Sequence, residues 1–367
     1  MKLYVAVLLV LWVNVDGHTS STGMKRSPLL LRTARGEEVE RTPVWMMRQA
    51  GRHMKEYRDL CKKYDTFRKR SENAEIATEI SLQPWRQYKT DGCILFSDIL
   101  TPLPGMGVSF NIKDEGPKLG DWTTRAQVNQ MKTLDPHKST PFVGETLRNL
   151  RREVKDETTV LGFVGLPFTL ASYMAEGGSS SDFTVTKGMM YNSPDVLHTM
   201  LRNIEENIAN YAQYQIENGA QVIQVFDSWA GTLSPEDYEE FALPYQQRVI
   251  SRIKKAHPEV PIILYVAKSG ALIEKMASSG ADCISLDWTT TITDARRRIN
   301  NPDIVIQGNL DPHVLIGPKD LITTRTEAIL KEGGGRNHIM NLGHGIYMNT
   351  PEENVQHFVD VVKKFKR

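Results

Sequence analysis

The sequence predicts an α/β protein built as a single (β/α)8 TIM barrel, and three observations predict it. From residue 43 onward, short runs rich in β-branched and apolar residues alternate with longer amphipathic stretches, the pattern of repeated βα units around a parallel sheet. The 367-residue length suits one elaborated barrel as well as two average domains. Eight strand-like runs can be counted, and polar residues recur just behind them, where barrel enzymes assemble their sites.

In chain order, the first 27 residues stand apart. Lys2 precedes an apolar run over 3–13, too short to span a bilayer but long enough for the core of a signal peptide. Residues 18–35 carry Ser, Thr, Lys and Arg but no Asp or Glu, the composition of a transit segment. Residues 1–27 therefore read as a signal- and transit-like leader, removed or disordered, and 28–367 as the barrel. A signal followed by a transit segment points to a plastid bounded by extra membranes. A plain secretory signal, or the extension of a cytoplasmic enzyme, are the alternatives. Nothing calls for stable membrane insertion.

The expected strands are 43–47, 92–97, 160–164, 221–226, 261–266, 282–286, 304–307 and 338–341. Between them, 193–218 reads as a helix, with Val196, Leu197, Met200, Ile204, Ile208, Tyr211 and Ile216 on one stripe. Ser234, Pro235, Glu236 and Asp237 form a helix start: a capping hydroxyl, a first-turn proline, and acids near the positive dipole end. Gly219 and Gly280 stand where helices stop before strands.

Charge and cysteine content exclude several functions. The 45 basic residues balance 44 acidic ones to a formal +1, so no overall field draws the chain onto nucleic acid, and a bound anion must be met by a local cluster. Cys61, Cys93 and Cys283 lie far apart, which argues against a disulfide framework and a structural zinc. Cys93 and Cys283 sit in apolar runs and read as small buried hydrophobes. No His or Cys pair has metal spacing, and no metal is expected.

The sharpest local feature is Arg48-Gln49-Ala50-Gly51-Arg52. Small residues between two arginines let two guanidinium forks face one carboxylate-rich or phosphate ligand. Asp98 follows the apolar run at 94–96, so its carboxylate projects from a rigid strand. It reads either as a stabiliser of a developing cation or as a cap for the next loop. The stretch 162–170 lacks both the Lys-Ser/Thr end and the GxGxxG spacing of nucleotide loops, so nucleotide binding is not expected. Its proline-aromatic turn brings Tyr173 either toward a cavity or into the core. His344 lies between two glycines that let the imidazole stand clear for acid-base work or carboxylate binding. Further strand ends carry Phe226, Asp227 and Ser228, then Lys268, Asp287, Asn309 and Asp311.

Taken together these motifs are recognisable. Thr42-Pro43-Val44-Trp45-Met46-Met47-Arg48-Gln49-Ala50-Gly51-Arg52 resembles the first signature of the uroporphyrinogen decarboxylase family, and 162–169 the second. Phe96-Ser97-Asp98-Ile99-Leu100, Leu286-Asp287-Trp288, Gln307-Gly308-Asn309-Leu310-Asp311-Pro312 and Leu342-Gly343-His344-Gly345-Ile346 match in the family's order. The resemblance implies a cofactor-free carboxy-lyase that trims the four acetates of uroporphyrinogen III to methyls, giving coproporphyrinogen III for haem or chlorophyll synthesis. It also implies a homodimer whose clefts face one another. By that pattern Arg48, Gln49, Ala50, Gly51, Arg52, Tyr173, Ser228 and His344 bind the tetrapyrrole. Asp98 takes the pyrrole N–H groups and stabilises the transition state, and Phe226 and Asp227 line the same cleft. Arg48, Tyr173 and His344 join Asp98 as catalytic candidates, with the proton donor unassigned.

The chain departs from the pattern at His53-Met54-Lys55, where the family usually has Tyr-Leu-Pro, and at Met348, where proline is frequent. Two rivals are a zinc-dependent corrinoid-to-thiol methyltransferase and a non-catalytic tetrapyrrole carrier. The first lacks its His and Cys ligands here, and the second leaves Asp98 and Tyr173 without a purpose.

Overall fold

A computed structural model describes residues 26–113 and 116–366; residues 1–25 of the expected leader lie outside them. The strands are β1 (Gly92–Ile94), β2 (Phe110–Lys113), β3 (Gly116–Leu119), β4 (Thr159–Gly165), β5 (Val222–Phe226), β6 (Ile262–Tyr265), β7 (Cys283–Ser285), β8 (Val305–Gln307) and β9 (His338–Ile339). The main sheet is parallel throughout, in the order β1-β4-β5-β6-β7-β8-β9, which matches seven of the eight expected runs.

The eighth run, 43–47, is reduced to one parallel bridge, Val44 to Met340, rather than a full strand. It still closes the sheet. Met340 N donates to Pro43 O (2.8 Å) and Trp45 N to Met340 O (3.3 Å), while on the other side Asp91 N donates to Val44 O (2.8 Å). The shortening has a physical cause. Pro43 has no N–H to give. Three of the next four amides are claimed by side chains: Val44 N by Asp91 Oδ2 (2.8 Å), Met46 N by Gln49 Oε1 (3.2 Å) and Met47 N by Asn341 Oδ1 (3.1 Å).

Alternation along the strands sorts the core into two faces. Ile223, Val225, Leu264, Ile284 and Ile306 face outward and pack with the surrounding helices, among them Pro194–Glu217 and Leu243–Ala256. On the first of these, Leu197, Met200, Ile204, Ile208 and Tyr211 are buried as the stripe predicts. Leu161, Val222, Ile263, Cys283, Val305 and Ile339 face inward with Trp45 and Met47, and helix Leu29–Ala34 packs into the same cluster. That helix touches both β4 and β9 and so lies across the N-terminal end of the barrel; Leu31 N is anchored on Thr159 Oγ1 (3.1 Å).

Above this plug the interior carries a polar layer. Gln307 Oε1 accepts from Trp45 Nε1 (2.9 Å), and its amide nitrogen donates to Gln224 Oε1 (3.1 Å) and Ser285 Oγ (2.9 Å). Cys93 and Cys283 are fully buried, as their apolar runs suggest. The Ser234 hydroxyl caps the helix Pro235–Phe241 by accepting from Asp237 N (3.1 Å).

The antiparallel hairpin β2–β3 was not anticipated. Its strands have four residues each, and Pro117 sits inside the second, which masks an edge strand in the sequence. It packs on the end of the helix Pro167–Glu176 through Leu119 N to Gly177 O (2.9 Å) and Trp122 N to Met174 O (3.1 Å).

Asp91 is the pivot of closure, since its carboxylate also grips both Arg41 guanidinium nitrogens at 2.7 Å. Replacing it with alanine leaves the Val44 amide buried without a partner and Arg41 unpaired. Asp91→Ala should lose about 3 kcal/mol of stability, read as a lowered midpoint in urea unfolding. An unchanged midpoint would show that the closure does not depend on this side chain.

Candidate active site

The C-terminal rim of the barrel gathers most of the residues picked out from sequence. Behind the 43–45 bridge the chain enters a tight loop in which Arg48 adopts a left-handed backbone (φ 58°). Gln49 is fully buried beneath it and donates Nε2 to Gly92 O (2.9 Å), so the loop is bolted to β1. This corrects the expectation that Gln49 contacts substrate: its amide is spent on the loop that presents the arginines. Ala50 packs partly against the apolar cluster below, Gly51 O receives Met54 N (3.0 Å), and Arg52 is exposed on the same loop. Among the described residues neither Arg48 nor Arg52 is paired with a carboxylate.

The Arg48 side chain lies along Gly345. A Cβ at that position would overlap Arg48 Cδ, so a side chain there would push the arginine out of its present place beside the histidine loop. His344 is half-buried, and its Nδ1 is buried without a hydrogen bond. Burial first, then the Arg48 charge, lowers its pKa, so the imidazole is neutral at physiological pH.

Asp98 stands just past β1, half-buried. Oδ1 accepts from Leu100 N (2.8 Å), the loop cap foreseen as one alternative, while Oδ2 has no hydrogen-bond partner among the described residues. Burial raises its pKa, with the Leu100 amide and Arg48 pulling the other way. One oxygen therefore shapes the loop and the other is open.

Tyr173, on Pro167–Glu176, stacks on Trp229 with ring centroids 3.7 Å apart, and Phe183 meets the far edge of that indole at 4.9 Å. Burial, then the Asp98 charge, raises the Tyr173 pKa, so its hydroxyl stays protonated and can donate. Trp229 was missed from sequence, because nothing in its spacing distinguishes it from a core aromatic. Ser228 precedes it at the start of the short 3-10 helix Ser228–Thr232 and is half-buried.

Phe226 forms a floor with its neighbours, edge-to-face with Phe163 (5.8 Å) and Tyr265 (5.9 Å). Tyr265 reaches across the mouth to donate to Gly343 O (3.0 Å). Asp227 differs from expectation. It is fully buried, accepting from Thr169 N (2.9 Å), Thr169 Oγ1 (2.8 Å) and Gln246 Nε2 (2.8 Å), and burial pushes its pKa up to about 6. It ties the helix carrying Tyr173 to β5 and does not line the mouth.

The remaining strand ends are stitched together. Asp287 accepts from Thr289 N (2.8 Å) and from Lys268 N, Asn309 Nδ2 donates to Asp287 O (2.7 Å) and Thr290 O (2.6 Å), and Asp311 caps His313 N (2.9 Å). Among the described residues no cluster of three or more His, Cys, Asp or Glu is placed to hold a metal ion, and no helix is long and apolar enough to cross a membrane.

The mouth is thus an aromatic floor with Asp98 at one wall, a protonated phenol near it, a neutral imidazole near Arg48, and arginines without acid partners on the rim. It can take a flat polyanion with a face of N–H donors.

Below the arginine loop, His53 is buried with neither ring nitrogen hydrogen-bonded and lies parallel to Tyr88 (centroids 6.4 Å apart). Burial pushes its pKa down to about 4 from 6.5. Unfolding releases a ring that protonates below 6.5, so its stabilising effect is complete above 6.5 and is lost as pH falls toward 4. The span corresponds to roughly 3 kcal/mol. His53→Phe should match or exceed the wild type at pH 7 and gain on it progressively between pH 6.5 and 4 in urea titrations. A constant gap across that window would refute the assignment.

The chain was compared with known proteins. Residues 25–365 match the family model described as uroporphyrinogen decarboxylase (URO-D). It is 54% identical over 339 residues to the uroporphyrinogen decarboxylase of Picosynechococcus sp. (strain ATCC 27264 / PCC 7002 / PR-6), covering 92% of this chain and 97% of that one. It is 52% identical over 341 residues to uroporphyrinogen decarboxylase 2, chloroplastic, of Arabidopsis thaliana, covering 92% and 86%. Among solved structures, a methyltransferase from Methanosarcina mazei superposes with a TM-score of 0.76 at 20% identity, covering 93% of this chain and 99% of that one, a likeness of fold.

Proposed function

Because this chain belongs to the uroporphyrinogen decarboxylase family, we propose that its barrel mouth carries out the family's reaction with the residues just described. The protein is a carboxy-lyase of tetrapyrrole biosynthesis that converts uroporphyrinogen III to coproporphyrinogen III. The observation that carries the site assignment is the divided carboxylate of Asp98, with one oxygen fixed on the Leu100 amide and the other open to the mouth.

The chemistry follows from that carboxylate. Loss of CO2 from an acetate leaves an electron pair that needs a sink. A proton placed on the pyrrole ring makes the ring cationic, and the pair from the breaking C–C bond flows into it. The exocyclic carbon then takes up a proton and becomes a methyl group while the ring gives up the proton it first received, so the aromatic pyrrole is restored and one proton is consumed for each CO2 released. Asp98 accepts the pyrrole N–H groups and, as a fixed anion, stabilises the ring cation by about 3 to 4 kcal/mol. Arg48 and Arg52 hold peripheral carboxylates, Tyr173 donates a hydroxyl hydrogen bond, and Ser228 and the neutral His344 complete the polar rim. Phe226 supports the macrocycle from below. Arg48 is a poor proton donor, because a guanidinium pKa lies above about 12.

Asp98→Asn keeps the shape and removes the charge. Purified protein given uroporphyrinogen III anaerobically, without metal or cofactor, should lose four carboxylates stepwise. The variant should be slower by about 100- to 1000-fold in kcat. Equal rates would remove Asp98 from the mechanism, and no turnover by the wild type would favour the carrier reading. The reaction needs Asp98 ionised, and burial raises its pKa. The acidic limb of kcat/KM should therefore fall at a pH above the ordinary carboxylate range, with activity present above that limb and lost below it. A limb at or below about 3.9 would contradict this.

Two further parts of the reading concern assembly and address. The protein forms a homodimer with the two mouths facing. In support, Trp288 and Met348 are exposed apolar residues on the loops behind β7 and β9; sedimentation should return twice the chain mass. Residues 1–27 direct it to a plastid, supported by the leader composition and by chloroplastic relatives from plants. Residues 1–40 fused to a fluorescent protein should enter plastids, and a diffuse cytoplasmic signal would support the cytoplasmic alternative.

A further inference from the structure

Lys268 stands directly behind β6, exposed, and has no role in the site described above. Its place in the barrel is informative. Counting the 43–45 bridge as the first position, the closed order runs through β1, β4 and β5 to β6. β6 is therefore the fifth of eight positions, diametrically opposite the one that ends in Arg48. A basic residue at this strand end therefore stands on the opposite side of the barrel's C-terminal rim from the arginine loop.

Its backbone is held there with some strain. Lys268 has φ 57°, a left-handed conformation that a residue with a Cβ adopts at a cost of about 1 kcal/mol or more. Arg48, at the opposite strand end, has φ 58°. The Lys268 turn is over-determined by its neighbours. Its N–H is taken by the Asp287 carboxylate, Asp287 is fixed in turn by Thr289, and Asn309 pins the Asp287 carbonyl (2.7 Å). On the other side, Gly231 of the Ser228 helix presses so closely on Ala267 O that a Cβ there would overlap it. Three neighbouring strand ends and the Ser228 turn thus converge on the backbone of one lysine. Among the described residues its side chain has no carboxylate within ion-pair distance.

Building on the decarboxylase reading, we propose that Lys268 is a second substrate-anchoring cation, holding a peripheral carboxylate of the tetrapyrrole on the side of the mouth opposite Arg48 and Arg52. A tetrapyrrole of this class bears carboxylates around its whole rim, and cations confined to one loop leave the far edge unmatched. A lysine suits that edge. Its ammonium is a compact charge on a flexible four-carbon stem, able to follow acetates and propionates in turn as the ring is repositioned between decarboxylations.

The test uses the full-length protein with Lys268→Met and Lys268→Arg, neither of which relieves the backbone strain. Their folding is checked by thermal unfolding against the wild type. With uroporphyrinogen III, Lys268→Met should raise KM about tenfold with kcat within about twofold, since a charge-assisted hydrogen bond common to ground and transition states is lost. Its kcat/KM should depend less steeply on ionic strength than the wild type's, and Lys268→Arg should restore both. A Lys268→Met enzyme with wild-type KM and salt dependence overturns the proposal, as does an equal loss in the Arg variant, which would mark a purely structural position. Absence of turnover by the wild type would instead defeat the decarboxylase reading, so the two failures are distinct.

Discussion

Closure of the barrel at the 43–48 segment is the constraint on which the rest depends. A parallel barrel has no free edge only if its eighth position is filled, and here that position is a single bridge beginning at a proline. Side chains supply what a longer strand would have supplied. Asp91, Gln49 and Asn341 accept from consecutive stretches of the segment, and Gln307 takes the Trp45 indole from inside. A segment paired as a regular strand through residue 47 would continue upward along the wall. Because its amides are claimed by side chains instead, the chain can turn at once, and Arg48 emerges in a left-handed conformation over the mouth. The interactions that close the barrel and those that aim the arginine are the same.

The interior is layered from bottom to top by what each level must exclude. Helix Leu29–Ala34 seals the N-terminal end, the Gln224–Ser285–Gln307 layer is polar but internally bonded, and the Phe163–Phe226–Tyr265 floor keeps water from rising through the barrel. Burial then sets the protonation states above it. It holds the Tyr173 hydroxyl on, keeps the His344 imidazole neutral, and makes the Asp98 anion costly despite the opposing pull of Arg48. On the proposed mechanism, a carboxylate destabilised by burial gains more when pyrrole N–H groups or a ring cation meet it, and that gain would favour the transition state.

Much of this was legible in the sequence, for reasons that differ by residue. The strands behind Ile94, Gly165 and Phe226 show as apolar runs because both of their faces are buried, and Arg48, Asp98 and His344 stand out because polar residues follow those runs directly. The 43–47 run looked like its siblings, since a pattern of apolar residues cannot reveal that distant Asp91 and Asn341 take its amides. Gln49 and Asp227 were drawn into the site by adjacency, yet the chain turns there so that each side chain points into the protein while its neighbour faces the mouth. Trp229 was missed for the converse reason: stacking on Tyr173 is a contact between two separate helical segments, its residues 56 positions apart, with no local signature.

The charge distribution ties recognition to turnover. Many basic residues elsewhere find acids, as in Arg32 with Glu40, Arg41 with Asp91, and Arg298 with Glu274, and the chain as a whole is nearly neutral. Arg48 and Arg52 are without carboxylate partners among the described residues, so a local excess of positive charge sits at the mouth proposed to bind the polyanion. Each decarboxylation removes one negative charge from that ligand while the cations stay fixed. The electrostatic part of binding therefore weakens at every step, and the substrate is held more firmly than the finished product. On the proposed site, unpaired cations would thus hold the starting polyanion most firmly and the product least, and release becomes easiest once the last acetate is gone.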